Sequence, residues 1–169
     1  MGIELNASDV FEMAEQIEKD ASRFYQLASM ASAGPSRSKV LLHLAEMETD
    51  HEHIFSAMKT HLSAEGWTPA NLDLPDTDAR HASAMLRSLV SGVKQDLANR
   101  FTGGETPDEV LRTAIAFEKD SIVFFLSMKQ MLSEPADRKR IDGILKEELG
   151  HVLSLSGELA SSQSSAADA

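Results

Sequence analysis

Cysteine is missing from this chain of 169 residues. Its absence excludes disulfides, thiolate zinc sites, iron–sulfur clusters and any fused cysteine-ligated iron site. Any metal must be held by oxygen and nitrogen. Basic charge is also short, with 16 Lys and Arg against 27 Asp and Glu and a formal charge of −11. No cluster of Lys and Arg stands ready to neutralise phosphates, so a nucleic-acid partner is not expected, and the acidic excess serves solubility. No window approaches roughly 18 uninterrupted apolar residues. Met1 to Val10 carries no basic run followed by an apolar core. Neither a membrane span nor a signal peptide is therefore expected, and the cytoplasm is the default location. The length suits one domain that buries roughly two thirds of the surface its unfolded form exposes.

What is present is a pattern that occurs twice. Glu48-Thr49-Asp50-His51 has a second copy in Glu148-Leu149-Gly150-His151. At the same offset, the run from Glu18 to Tyr25 matches the run from Glu118 to Phe125. Residues 10–56 and their partners agree at Val10, Ala14, Glu18, Lys19, Asp20, Phe24, Pro35, Lys39, Glu48, His51 and Ser56. About three agreements would be expected by chance at roughly 6% per position. An internal duplication explains the excess.

Apolar spacing predicts helices over about 8–32, 37–64, 106–132 and 136–160. Breaks fall at Gly34-Pro35 and Pro135, and Thr106-Pro107-Asp108-Glu109 is a strong helix start. A further amphipathic segment over about 79–101 carries no repeated pattern and is expected to pack outside the other four. The Ser/Ala-rich tail from Ser161 to Ala169 has no apolar period and is expected to be disordered. Two helical hairpins joined by a long connection predict an all-α fold, a four-helix bundle with one long crossover carrying an additional helix.

Glu18, Glu48, His51, Glu118, Glu148 and His151 all fall within the apolar stripes of these helices. A carboxylate there is costly unless something compensates its charge. Residues three apart share a helix face, so each Glu-x-x-His offers an oxygen and a nitrogen in one direction. Four carboxylates and two neutral imidazoles balance two divalent ions, in the pattern of di-iron and di-manganese bundles. Iron or manganese suits these donors better than magnesium or calcium, and zinc also fits.

With the two Glu-Lys-Asp-x-x-x-Phe-aromatic runs and the two Glu-x-x-His motifs in place, the chain resembles the rubrerythrin-type branch of the ferritin-like superfamily, in single-domain members without a rubredoxin tail. The resemblance covers about residues 8–160. It implies two iron ions, with Glu18 and Glu118 as terminal carboxylate ligands, Glu48 and Glu148 as bridging ones, and His51 and His151 as one nitrogen ligand per metal. Tyr25 matches a tyrosine found just outside such ligands, and the repeat has Phe125 there. The implied activity is oxidation–reduction with hydrogen peroxide or dioxygen in oxidative-stress defence. A homodimer is also implied, and without cysteine the electrons are expected from a separate donor such as a rubredoxin-like protein or from free ferrous iron. Rubrerythrins carry an additional Glu where this chain has Ser121, which brings the six-residue set closer to the symmetric ferroxidase centres of bacterioferritins. Iron handling and a metal-free structural bundle are the alternatives.

Other candidates are read as background. His43, His53, His61 and His81 are expected at the surface or in packing, and Glu46, Glu52 and Glu147 on solvated faces. Asp20 and Asp120 either orient a ligand histidine or pair with a surface Lys.

Overall fold

The computed structural model describes residues 7–32, 34–64, 101–132 and 134–167. These residues form four helices and no strand: α1 (Ala7–Ala31), α2 (Pro35–Ala64), α3 (Pro107–Gln130) and α4 (Pro135–Ala167). The helix expected over about 79–101 lies, apart from the non-helical Phe101, outside the described residues.

Each hairpin turns within a few residues, so its two helices run antiparallel. The charges at their ends agree. Lys59, late in α2, sits 3.7 Å from Glu15 and 4.0 Å from Glu12, both early in α1. Lys129, late in α3, pairs with Asp142, early in α4. Pro35 and Pro135 open α2 and α4 instead of standing before them. A first-turn residue needs no N–H partner, and proline's fixed φ is already helical. The ladders start behind them, from Ser38 N–H to the Gly34 carbonyl at 3.0 Å and from Arg138 N–H to the Glu134 carbonyl at 3.1 Å.

At the start of α3, the Thr106 hydroxyl accepts from Glu109 N–H at 3.3 Å and Thr106 N–H donates to the Glu109 carboxylate at 2.8 Å, a complete capping box. Gly103, at φ +82°, turns the chain into it. The tail predicted to be disordered instead continues α4 to Ala167. Ser161 and Ser164 bond back to the Gly157 and Ala160 carbonyls, and Ser162 donates to Asp108 of α3 at 2.7 Å. That cross-helix bond gives the last turns a partner that no apolar period could reveal.

The core is a single apolar cluster drawn from all four helices, including Phe11, Phe24, Leu41, Phe55, Leu111, Phe124, Phe125, Ile141, Ile144 and Leu155. Phe55 of α2 stacks on Phe125 of α3 with centroids 4.9 Å apart, which ties the two hairpins together. Near the helix midpoints this apolar packing gives way to acid and imidazole.

Candidate metal centre

Each helix contributes to one buried cluster: Glu18 from α1, Glu48 and His51 from α2, Glu118 from α3, and Glu148 and His151 from α4. None of the six is more than 2% exposed. Their donor atoms form two quartets, Glu18–Glu48–His51–Glu148 and Glu48–Glu118–Glu148–His151, with all atoms of each quartet within 4.8 Å of one another. All six candidates from the repeat thus converge.

The two quartets interlock through Glu48 and Glu148. Glu48 places Oε2 3.3 Å from His51 Nδ1 and Oε1 3.1 Å from His151 Nδ1. Glu148 places Oε1 3.0 Å from His51 Nδ1 and Oε2 3.1 Å from His151 Nδ1. Glu18 approaches only His51, at 3.8 Å, and Glu118 only His151, at 3.7 Å. The imidazoles lie nearly parallel, 5.9 Å apart, and both turn Nδ1 inward.

Several of these atoms make no hydrogen bond despite their crowding: Glu18 Oε1, both Glu48 oxygens, Glu148 Oε1 and His51 Nδ1. Buried polar atoms normally find partners. Donor atoms packed together without hydrogen-bond geometry fit cations placed between them. Each quartet offers three carboxylates and one imidazole, an oxygen-rich set suited to iron or manganese.

Burial, followed by the charges of Glu48 and Glu148, drives the Glu18 carboxyl well above its ordinary range. Glu118 is driven upward in the same way, by burial and then by Glu48. Glu48 goes the other way: burial opposes its charge, but the two imidazoles set against it outweigh that and bring it to about 2. Glu148 is also lowered, against burial and the Glu48 charge, by the two imidazoles. Burial disfavours imidazolium, yet the surrounding carboxylates raise His151 to about 12 and His51 higher still. Glu48, Glu148 and the two imidazoles are thus favoured in their charged forms, while Glu18 and Glu118 are pushed toward the neutral acid. Two divalent ions against four carboxylates and two neutral imidazoles would leave the filled centre neutral.

Around the six, the two halves differ. The fully buried Tyr25 reaches across the bundle and donates its hydroxyl to Glu118 Oε1. Burial and the nearby carboxylates raise the phenol's pKa further, so it stays a donor. Glu147, expected on a solvated face, is 52% exposed, but its Oε2 lies 2.9 Å from His51 Nε2. Its exposure is as expected, and its imidazole partner comes from the other hairpin. Asp20 accepts from Gln16 at 2.8 Å, Asp120 is exposed, and the carboxylate that meets His51 Nε2 is that of Glu147. Ser121 is buried and donates to the Phe117 carbonyl at 3.1 Å. His43, His53 and His61 are exposed, and His81 lies outside the described residues.

No protein-family model and no curated protein matches the sequence. Among solved structures, the chain is similar to a protein of Thermotoga maritima assigned as a ferritin-like diiron-carboxylate protein, at 25% identity and a TM-score of 0.69. The match covers 96% of this chain and 99% of that one. The fold is a ferritin-like helical bundle.

Proposed function

We propose that the chain is a rubrerythrin-like di-iron oxidoreductase that reacts with hydrogen peroxide or dioxygen in oxidative-stress defence. The observation that carries this reading is the pair of interlocking buried quartets with atoms that lack hydrogen bonds. The Thermotoga maritima protein, assigned as diiron-carboxylate, supports it. Glu18 and Glu118 would be terminal ligands, Glu48 and Glu148 bridging ones, and His51 and His151 the nitrogen ligands, one per metal. Two bound iron ions would supply two-electron redox chemistry toward peroxide or dioxygen, and manganese or zinc are the other ions these donors accept.

The chain's own residues hold and shield this centre. Glu48 and Glu148, which belong to both quartets, would hold both ions. Tyr25 keeps a proton on its hydroxyl and orients Glu118. The Phe55–Phe125 stack packs the hairpins together and helps exclude water. With no cysteine in the chain, electrons would come from a separate donor such as a rubredoxin-like protein or from free ferrous iron. A homodimer in the cytoplasm completes the proposal.

Ser121 favours a second reading, in which ferrous iron is itself the substrate and the centre serves as a ferroxidase. Its hydroxyl is bound to its own helix, and no additional carboxylate stands at that position to unbalance the six. Elemental analysis of protein purified without chelator, followed by anaerobic loading with ferrous iron, decides between these. Rapid mixing with peroxide and with air in separate runs then measures oxidation. Faster reaction with peroxide supports the peroxidase, and faster reaction with air supports the ferroxidase. Absence of iron uptake overturns both and leaves a structural bundle.

A further inference from the structure

The sequence repeat makes the six central residues symmetric, yet it places unlike residues just outside them. Glu147 corresponds to Met47, and Tyr25 to Phe125. The first difference acts on the imidazoles. His51 Nε2 meets the Glu147 carboxylate at 2.9 Å, which selects the tautomer whose Nδ1 lone pair faces the cluster and strengthens that nitrogen as a donor. His151 Nε2 is buried and makes no hydrogen bond, and the half-buried Met47 offers no carboxylate. The second difference acts on the terminal carboxylates. Tyr25 donates to Glu118 Oε1, drawing electron density from that oxygen and competing for its lone pairs. The Phe125 counterpart has no hydroxyl to do this to Glu18.

Both differences favour the same side. We infer that Glu147 and Tyr25 make the two metal positions unequal, so that a divalent cation fills the Glu18–His51 position first and more tightly than the Glu118–His151 position. This rests on the di-metal reading above. Glu147 and Tyr25 are positioning residues here, acting through His51 and Glu118.

Calorimetric titration of the metal-free full chain with cobalt(II), followed in parallel by visible absorption, tests the order directly. The wild type is expected to bind in two steps separated by at least about tenfold, the scale on which such outer partners act. Glu147→Met, which copies the repeat, should weaken the first step by about 10–100-fold and merge the two. Met47→Glu should tighten the second step toward the first, and Tyr25→Phe should tighten it as well. Glu118→Ala should keep the tight step, and Glu18→Ala should lose it.

A purely structural Glu147 would change the unfolding temperature without moving one step relative to the other. Glu147 is half exposed, so its variant keeps the test decisive even where Met47→Glu fails to fold. Two equal steps in the wild type, or separated steps that neither Glu147→Met nor Met47→Glu moves, would overturn the inference and leave the di-metal reading standing. No uptake of cobalt, ferrous or manganous ions by the wild type would overturn both.

Discussion

At the scale of the residue, Glu48 and Glu148 matter most because each belongs to both quartets. Glu148→Ala should abolish stoichiometric binding at both positions, whereas Glu118→Ala should remove one ion of two, as counted by elemental analysis after desalting. Loading should also release protons. Both imidazoles are raised so as to hold protons, Glu18 and Glu118 are pushed the same way, and protons held there oppose the entry of ions. About two protons or more per pair of divalent ions are therefore expected, from titrations in buffers of different ionisation enthalpy. The six central residues were legible because a carboxylate inside an apolar stripe is conspicuous, and a duplicated one more so. Glu147 was not. Its exposure was read correctly from its helix face, but its partner His51 belongs to a helix 96 positions away in sequence, and no local spacing encodes that meeting.

Among the elements, α3 has the best-defined start. Thr106→Ala removes the hydroxyl from a complete capping box and should cost about 1 kcal/mol in denaturant unfolding, with metal stoichiometry unchanged. Phe55→Ala should cost more, about 3–5 kcal/mol, because it empties the stack that joins α2 to α3. The helical stripes were legible from apolar period, as were Thr106 and Glu109 as a start signal. The end of α4 was not. Ser161 to Ala167 has no apolar stripe, and what holds it in register is a hydroxyl of Ser162 against Asp108. Asp108 was noticed only as part of the opening turn of α3.

For the whole molecule, pH should act in opposite senses on empty and loaded protein. Glu18, Glu118, His51 and His151 all have folded-state pKa values raised above their ordinary ones. Above pH 4.5 the folded chain keeps protons on the two carboxyls that the unfolded chain releases, and above pH 6.5 the same holds for the imidazoles. The imidazoles' contribution is thus complete below pH 6.5 and is lost as pH rises toward their folded values. Metal-free protein should unfold at a lower temperature at pH 8.5 than at pH 6. The gain in unfolding temperature from added metal should grow over the same interval, since fewer protons oppose binding. Calorimetric scans at a few pH values check both slopes, and a metal-free protein that became more stable toward pH 8.5 would contradict the charge assignment.

Exchanging protons for ions deep inside the bundle has a further result. The exchange takes place among residues no more than 2% exposed, so the side chains that an electron-donating partner would meet are the same whether the interior is filled or empty. Ions that displace protons change the net charge by less than they carry, so loaded and empty molecules should elute close together from an ion exchanger. A preparation pure by that criterion can still be a mixture, which its mass, its metal content or its unfolding temperature would reveal.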